Sequence, residues 1–159
     1  MEPIDEIIIE KASTEDAKEI LDLQKIAYVS EAEIIHDVTI TPLHQTIDEV
    51  LSEFKYQIFL KVELKGKIIG SVRSYLENDT CYIGKLIVHP EYQNLGIGTK
   101  LLIAAENLFP SAERYELFTG QKSEKNLHIY IKNSYRIIRS EVVSENLTLV
   151  FLEKINTEV

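Results

Sequence analysis

Residues 89–100 read HPEYQNLGIGTK and hold two of the chain's six glycines, Gly96 and Gly98, one residue apart. An apolar run, IGKLIV, precedes them, and a helix-like run, LLIAAENLF, follows. A strand that enters a glycine turn and leaves as a helix can hold an anion. The first turn of a helix has N–H groups without acceptors and a partial positive charge. Glycine lets a ligand approach the main chain closely. The segment Gln93, Asn94, Leu95, Gly96, Ile97, Gly98 and Thr99 is therefore a candidate pyrophosphate cradle, built from the amides of about 95–99. The same glycines would also suit a helix that simply begins in close packing, and the hexapeptide QNLGIG alone does not separate the two.

Two familiar phosphate motifs fit poorly. A P-loop requires Gly-Lys followed by Ser or Thr, whereas the order here is Gly98-Thr99-Lys100. A dinucleotide fingerprint requires a third glycine where Leu101 stands, and it belongs in a first βαβ unit rather than past the midpoint of the chain.

The elements that must position this turn follow from periodicity. IIIEKA (7–12) reads as a strand. STEDAKEILDLQKIAYV (13–29) reads as a helix, with Ser13 or Thr14 as cap and an apolar face through Ala17, Ile20, Leu21, Gln24, Ala27 and Tyr28. SEAEIIHDVTITP (30–42) reads as a loop. In TIDEVLSEFK (46–55) the pair Thr46 and Glu49 has capping-box spacing. The period then changes to that of strands in YQIFLKVEL, KIIGSVRSYLE and CYIGKLIVH, with hairpin turns at Lys65–Gly66 and Asn78–Asp79.

Gly84, inside the third of these strands, predicts a bulge or a close backbone approach. A helix over about 97–108 is stopped by Pro110. A strand RYELFTG (114–120), a helix SEKNLHIYIKN (123–133) capped by Ser123, and a last hairpin of YRIIRSEVV and LTLVFLEK complete the order. The fold class is mixed α/β (α+β), with a largely antiparallel sheet and one crossover helix.

Composition narrows the function. The 159 residues suit one domain spanning 1–159. The net charge of −9 argues against nucleic acid and would mildly favour cationic partners. No apolar run reaches the roughly 18–20 residues needed to cross a membrane. The acidic start, MEPIDEIIIE, does not read as a signal peptide. The lone Cys81 permits no intrachain disulfide and fits a reducing, cytoplasmic compartment. His36, His44, His89 and His128 lack metal-ligand spacing, so no metal is expected.

QNLGIG matches the pattern Q/R-x-x-G-x-G/A, and with LIVHPEYQNLGIGTKLL (86–102) it resembles the acyl-CoA motif of the GNAT superfamily of N-acetyltransferases. TGQKSEKNLHIYIKNSYRI (119–137) is similar to that family's second signature, in which an Asn and, four residues on, a Tyr share a helix. Here these are Asn126 and Tyr130. The resemblance covers nearly the whole chain. It implies a GNAT-like fold with about seven strands and about four helices, splayed between strands 4 and 5.

By the same resemblance the backbone of Leu86 and Val88 would bond the pantetheine arm of acetyl-CoA, residues 93–99 would hold its pyrophosphate, and Asn126 would contact the arm. Lys100, Lys122 and Lys125 could screen the phosphates. The implied reaction moves an acetyl group from acetyl-CoA to a primary amine of a small molecule, peptide or protein, by direct attack in a ternary complex. The alternative is a non-catalytic acyl-CoA-binding module. The resemblance leaves a homodimer open.

Acetyl transfer needs a neutral amine, a polarised thioester carbonyl and a proton or hydrogen bond for the departing thiolate. An amide near Val88 could polarise the carbonyl, and Tyr130 is placed to serve the sulfur. Some relatives carry a glutamate where this chain has Tyr82. Tyr82 could orient a water, face the acceptor or simply pack. Glu33, His36 and Asp37 could line the acceptor site, since that loop covers it in relatives. Cys81, on the opposite strand face to Tyr82, reads as core. Ser134-Tyr135 replaces the family's frequent Gly-Phe after the second helix.

Overall fold

The computed structural model describes residues 7–157. Among these residues the strands are β1 (Ile8–Lys11), β2 (Ile58–Leu64), β3 (Lys67–Glu77), β4 (Thr80–Val88), β5 (Arg114–Gly120), β6 (Arg136–Val142) and β7 (Thr148–Ile155). The helices are α1 (Ala17–Ile35), α2 (Thr41–His44), α3 (Ile47–Glu53), α4 (Ile97–Asn107) and α5 (Glu124–Lys132). Residues 1–6, where the acidic start was read, lie outside the described residues. No helix among the described residues is long and apolar enough to cross a membrane.

The strand order is β1-β2-β3-β4-β5-β7-β6. Every neighbouring pair is antiparallel except β4 with β5. That parallel pair lasts from Thr80–Arg114 to Tyr82–Glu116. Beyond it β4 runs on to Val88 and β5 to Gly120 without pairing, so the sheet opens between its fourth and fifth strands as expected. Adjacent strand residues enter different cores. Phe59 and Ile68 pack with α1 and α3, whereas Leu60 and Ile69 pack with α4. Helices thus cover both faces, as the side-chain alternation of a strand requires.

Both hairpin turns fall where the sequence placed them. Lys65 and Gly66 have φ of 53° and 78°, and Asn78 and Asp79 have 49° and 64°. Positive φ at both central positions gives the turn whose twist matches a hairpin. The capping box of α3 is formed, with the Thr46 hydroxyl accepting from the Glu49 amide at 3.2 Å and the Glu49 carboxylate accepting from the Thr46 amide at 2.9 Å.

Two local readings change. The expected loop 30–42 is helical through Ile35, and α2 adds a short turn beyond it. The reason is packing: Ala32 and Ile35 continue the face begun by Tyr28 and bury against Ile40. His36 then stops α1 with φ of 55°. The bulge expected at Gly84 is centred one residue later. Lys85 has φ of 50°, and Lys85 and Leu86 together oppose Val72, between the pairs Arg73–Gly84 and Ser71–Ile87.

Ser134 ends α5 in the left-handed conformation at φ of 77°, with Tyr135 N donating to Tyr130 O at 3.0 Å and Ser134 N to Ile131 O at 3.1 Å. This is the bond pattern a glycine normally closes. Ser134→Gly should therefore raise the unfolding free energy by about 0.5–1 kcal/mol, read as a higher urea midpoint. An unchanged or lower midpoint would contradict the strain.

Candidate active site

Where β4 and β5 part, two neighbouring cavities share lining residues. An outer cleft of about 1140 Å³ lies against α4 and α5, and an inner cavity of about 580 Å³ runs beneath α1 toward β3 and β7. Tyr28, Glu31, Leu86, Lys122, Ser123 and Asn126 line both and so mark the junction.

The outer cleft gathers Leu86, Val88, Gln93, Asn94, Gly96, Ile97, Gly98, Thr99 and Asn126 from the sequence-predicted set. Leu95 is not among the lining residues. Lys122 and Lys125 face this cleft, but Lys100 is exposed elsewhere. The two glycines divide the roles left open by the sequence. Gly96 precedes α4 at φ of 85°, and a Cβ there would meet nothing within 4 Å, so conformation is what demands glycine. A Cβ on Gly98 would lie 3.2 Å from Ile129 Cδ1, so glycine there serves the close packing of α4 on α5. The first bond of α4 is Lys100 N to Gly96 O at 3.1 Å, leaving the amides of residues 97–99 without an acceptor inside the helix.

The end of β4 also presents main-chain groups. His89 N donates to Ile69 O at 2.8 Å, so the lateral direction of His89 is toward β3. Groups alternate along a strand, and Val88 must direct its own N–H and C=O into the opening. Its carbonyl accepts from Gln93 Nε2 at 3.1 Å, and Gln93 Oε1 in turn accepts from Lys125 Nζ at 3.3 Å. Gln93 thereby ties the strand end to the turn.

Tyr130 lies one turn along α5 from Asn126, is 4% exposed, and lines the inner cavity. No described group hydrogen-bonds its hydroxyl. Burial pushes its phenol well above the ordinary value, and neighbouring Tyr28 and Glu31 add to the shift. Tyr28 is itself pushed up to about 12, mainly by burial. Both therefore keep their protons at neutral pH. Tyr82 stacks on Tyr75 at 5.2 Å between ring centres and forms part of the inner wall.

Glu33, His36 and Asp37 line neither cavity. Glu33 and His36 point outward, and Asp37 accepts from the Thr39 amide and hydroxyl. The carboxylate that α1 does bring to the junction is Glu31, which the sequence reading missed. Extending the helix through Ile35 would have placed Glu31 near Tyr28. Ser123 stands at the N-cap position of α5 without making the expected cap bond. Its hydroxyl is turned instead to donate to Glu31 Oε1 at 2.9 Å, a charged acceptor.

Beneath the inner cavity lies a second unforeseen feature. Arg73, 1% exposed, donates to Glu53 at 2.9 Å and Gln24 at 2.6 Å and lies over the Phe59 ring. Gln45 and Gln57 also donate to Glu53, and Gln24 donates to Gln45 and the Pro42 carbonyl. This network ties α1, α2 and α3 to β3. Cys81 is buried and its thiol is pushed up to about 12, chiefly by burial, as suits a core position. Among the described residues no group of three or more His, Cys, Asp or Glu is placed to hold a metal ion.

A family model described as the acetyltransferase (GNAT) family matches residues 17–134, and the chain belongs to that family. Solved structures agree in fold. PaiA N-acetyltransferase from Thermoplasma acidophilum, in complex with coenzyme A, is 18% identical with a TM-score of 0.76, covering 94% of this chain and 98% of that one. The ribosomal-protein-S18-alanine N-acetyltransferase of Escherichia coli is 11% identical with a TM-score of 0.78, covering 96% of each chain. Among curated proteins, UPF0157 protein YqkA of Bacillus subtilis (strain 168) is 28% identical over 134 residues. That stretch is 84% of this chain but only 38% of the length of YqkA.

Proposed function

We propose that the chain transfers an acetyl group from acetyl-CoA to a primary amine. The observation that carries this reading is that the two cavities share lining residues where β4 and β5 part, with the start of α4 in one and Tyr130 in the other. The outer cleft suits coenzyme A in both shape and chemistry. The amides of residues 97–99 and the left-handed Gly96 suit a pyrophosphate. Lys122 and Lys125 offer charge at the rim, and the N–H of Val88 offers a donor to an extended amide-bearing arm. The complex of PaiA N-acetyltransferase with coenzyme A supports the same assignment by likeness of fold.

Acetyl-CoA supplies an acyl thioester, whose C–S bond breaks as the C–N bond to the acceptor forms. The residues at the junction have separable tasks. A main-chain amide near Val88, at the end of β4, would donate to the carbonyl oxygen where charge develops. Glu31 would hold the incoming ammonium and take its proton, directly or through water, because it is the carboxylate shared by both cavities. Tyr130 would hydrogen-bond the departing sulfur. Its raised pKa favours a hydrogen bond over complete proton transfer, so the thiolate would take its proton from water. Tyr82 would shape the acceptor wall.

The experiment is thiol release from acetyl-CoA in the presence of an amine panel, with products identified by mass. An acetylated amine is expected. Glu31→Gln should lower kcat about 10²-fold while leaving CoA affinity unchanged. Tight CoA binding without any acetylated product would replace catalysis by a binding role.

A further inference from the structure

Lys85 is a charged group in the inner cavity for which acetyl transfer has no evident use. It occupies the bulge of β4 at φ of 50°, an unfavourable conformation for a lysine, although Gly84 stands next to it in the sequence. Strain of this kind persists where the surroundings hold it, often at functional sites. The side chain lines the inner cavity but not the outer cleft.

No described group forms an ion pair or hydrogen bond with its ammonium. The carboxylates around it are engaged. Glu53 is held by Arg73, Gln45 and Gln57, Glu116 is paired with Arg114 at 2.7 Å and with Arg139 at 3.7 Å, and Glu31 receives Ser123. Burial and the nearby Arg73 lower the pKa of Lys85, with Glu53 opposing them. Lys85, half-buried, has thus lost part of its water without gaining an anion, which is the condition an incoming oxyanion would relieve.

The layout of the cavities orders the acceptor. Its amine must meet the thioester at the junction, beside Glu31. The rest of the molecule must then extend into the inner cavity, whose wall carries Lys85 next to the junction residue Leu86 and, further along β4, Tyr82. We propose that Lys85 selects acceptors bearing an oxyanion, carboxylate or phosphate, apart from the amine that is acetylated. This rests on the acetyl-transfer reading of the same site. It also reverses the expectation drawn from the net charge of −9, because the acceptor meets the local cavity rather than the whole surface.

The test is calorimetric binding of matched pairs, with and without saturating CoA. The pairs are 6-aminohexanoate with hexylamine, O-phosphoethanolamine with ethanolamine, and tyrosine with tyramine, and spermidine serves as a cationic control. The first two pairs tell a carboxylate source from a phosphate source. At least one acidic member should bind at least tenfold more tightly than its partner. Lys85→Met should weaken that member by about 10–100-fold and leave the uncharged-tail partners unchanged, while Lys85→Arg retains most of the preference.

Equal or weaker binding of the acidic members would overturn the proposal, as would failure of every acidic member to bind or an unchanged preference in Lys85→Met. Intact-mass detection of an acetyl group on Lys85 itself would also overturn it, by making the lysine a nucleophile. Loss of CoA binding would instead remove the acetyl-transfer reading and is read separately from the acid preference.

Discussion

Tyr130→Phe should bind coenzyme A nearly as well as the wild type and turn over about 10²–10³-fold more slowly. The substitution removes one oxygen and keeps the ring. That ring packs in the core with Tyr135, 6.1 Å away between centres, so the fold should tolerate the change. What disappears is a donor with no hydrogen-bond partner among the described residues, buried and kept protonated by its surroundings. Such a donor gains most when negative charge develops on the sulfur, so the loss should fall on kcat rather than on affinity. Steady-state kinetics beside a CoA titration separates the two. A variant that turns over like the wild type would leave Tyr130 as a packing residue.

The second large effect is on stability. Arg73→Met should lower the unfolding free energy by about 3–5 kcal/mol, because it leaves the Glu53 carboxylate and the Gln24 amide oxygen without their guanidinium partner. Glu53→Met should cost a comparable amount by stranding a buried cation. The double variant Arg73→Met/Glu53→Met should lose clearly less than the sum of the two, since neither orphan then remains. Urea unfolding measures all three. Single variants within about 1 kcal/mol of the wild type would mean that water reaches the network and screens it.

Much of the scaffold was legible because it depends on local chemistry. Positive-φ pairs such as Asn78–Asp79 announce hairpins, Thr46 with Glu49 announces a helix start, and alternation in RYELFTG announces β5 at the residues where it forms. The proposed cofactor side of the candidate site could be read from the sequence, because it is built by consecutive residues around Gly96 and by one helical spacing, Asn126 to Tyr130.

The proposed acceptor side could not. Its groups come from elements far apart in sequence: Glu31 from α1, Lys85 from β4, Glu116 and Phe118 from β5, and Phe151 from β7. Glu31 was hidden by a helix that continues past Ser30 only because Ala32 and Ile35 find cover. Arg73 reads as an outlier within an apolar strand until Glu53, Gln24 and Phe59 are seen around it. Ser123 has the residue type of a cap, but its partner lies 92 positions away.

The central claim is that the turn at Gly96 and the start of α4 hold the pyrophosphate of coenzyme A. Calorimetric titration of wild type and Gly96→Glu with acetyl-CoA and with CoA tests it most directly. Glutamate at this position would be strained at φ of 85° and would set a carboxylate against the phosphates. Gly96→Asn, a residue that accepts positive φ, controls for the strain. The account predicts wild-type binding on the order of micromolar, retained in large part by Gly96→Asn and abolished in a folded Gly96→Glu. Absence of binding by the folded wild type, or undiminished binding by Gly96→Glu, would contradict it.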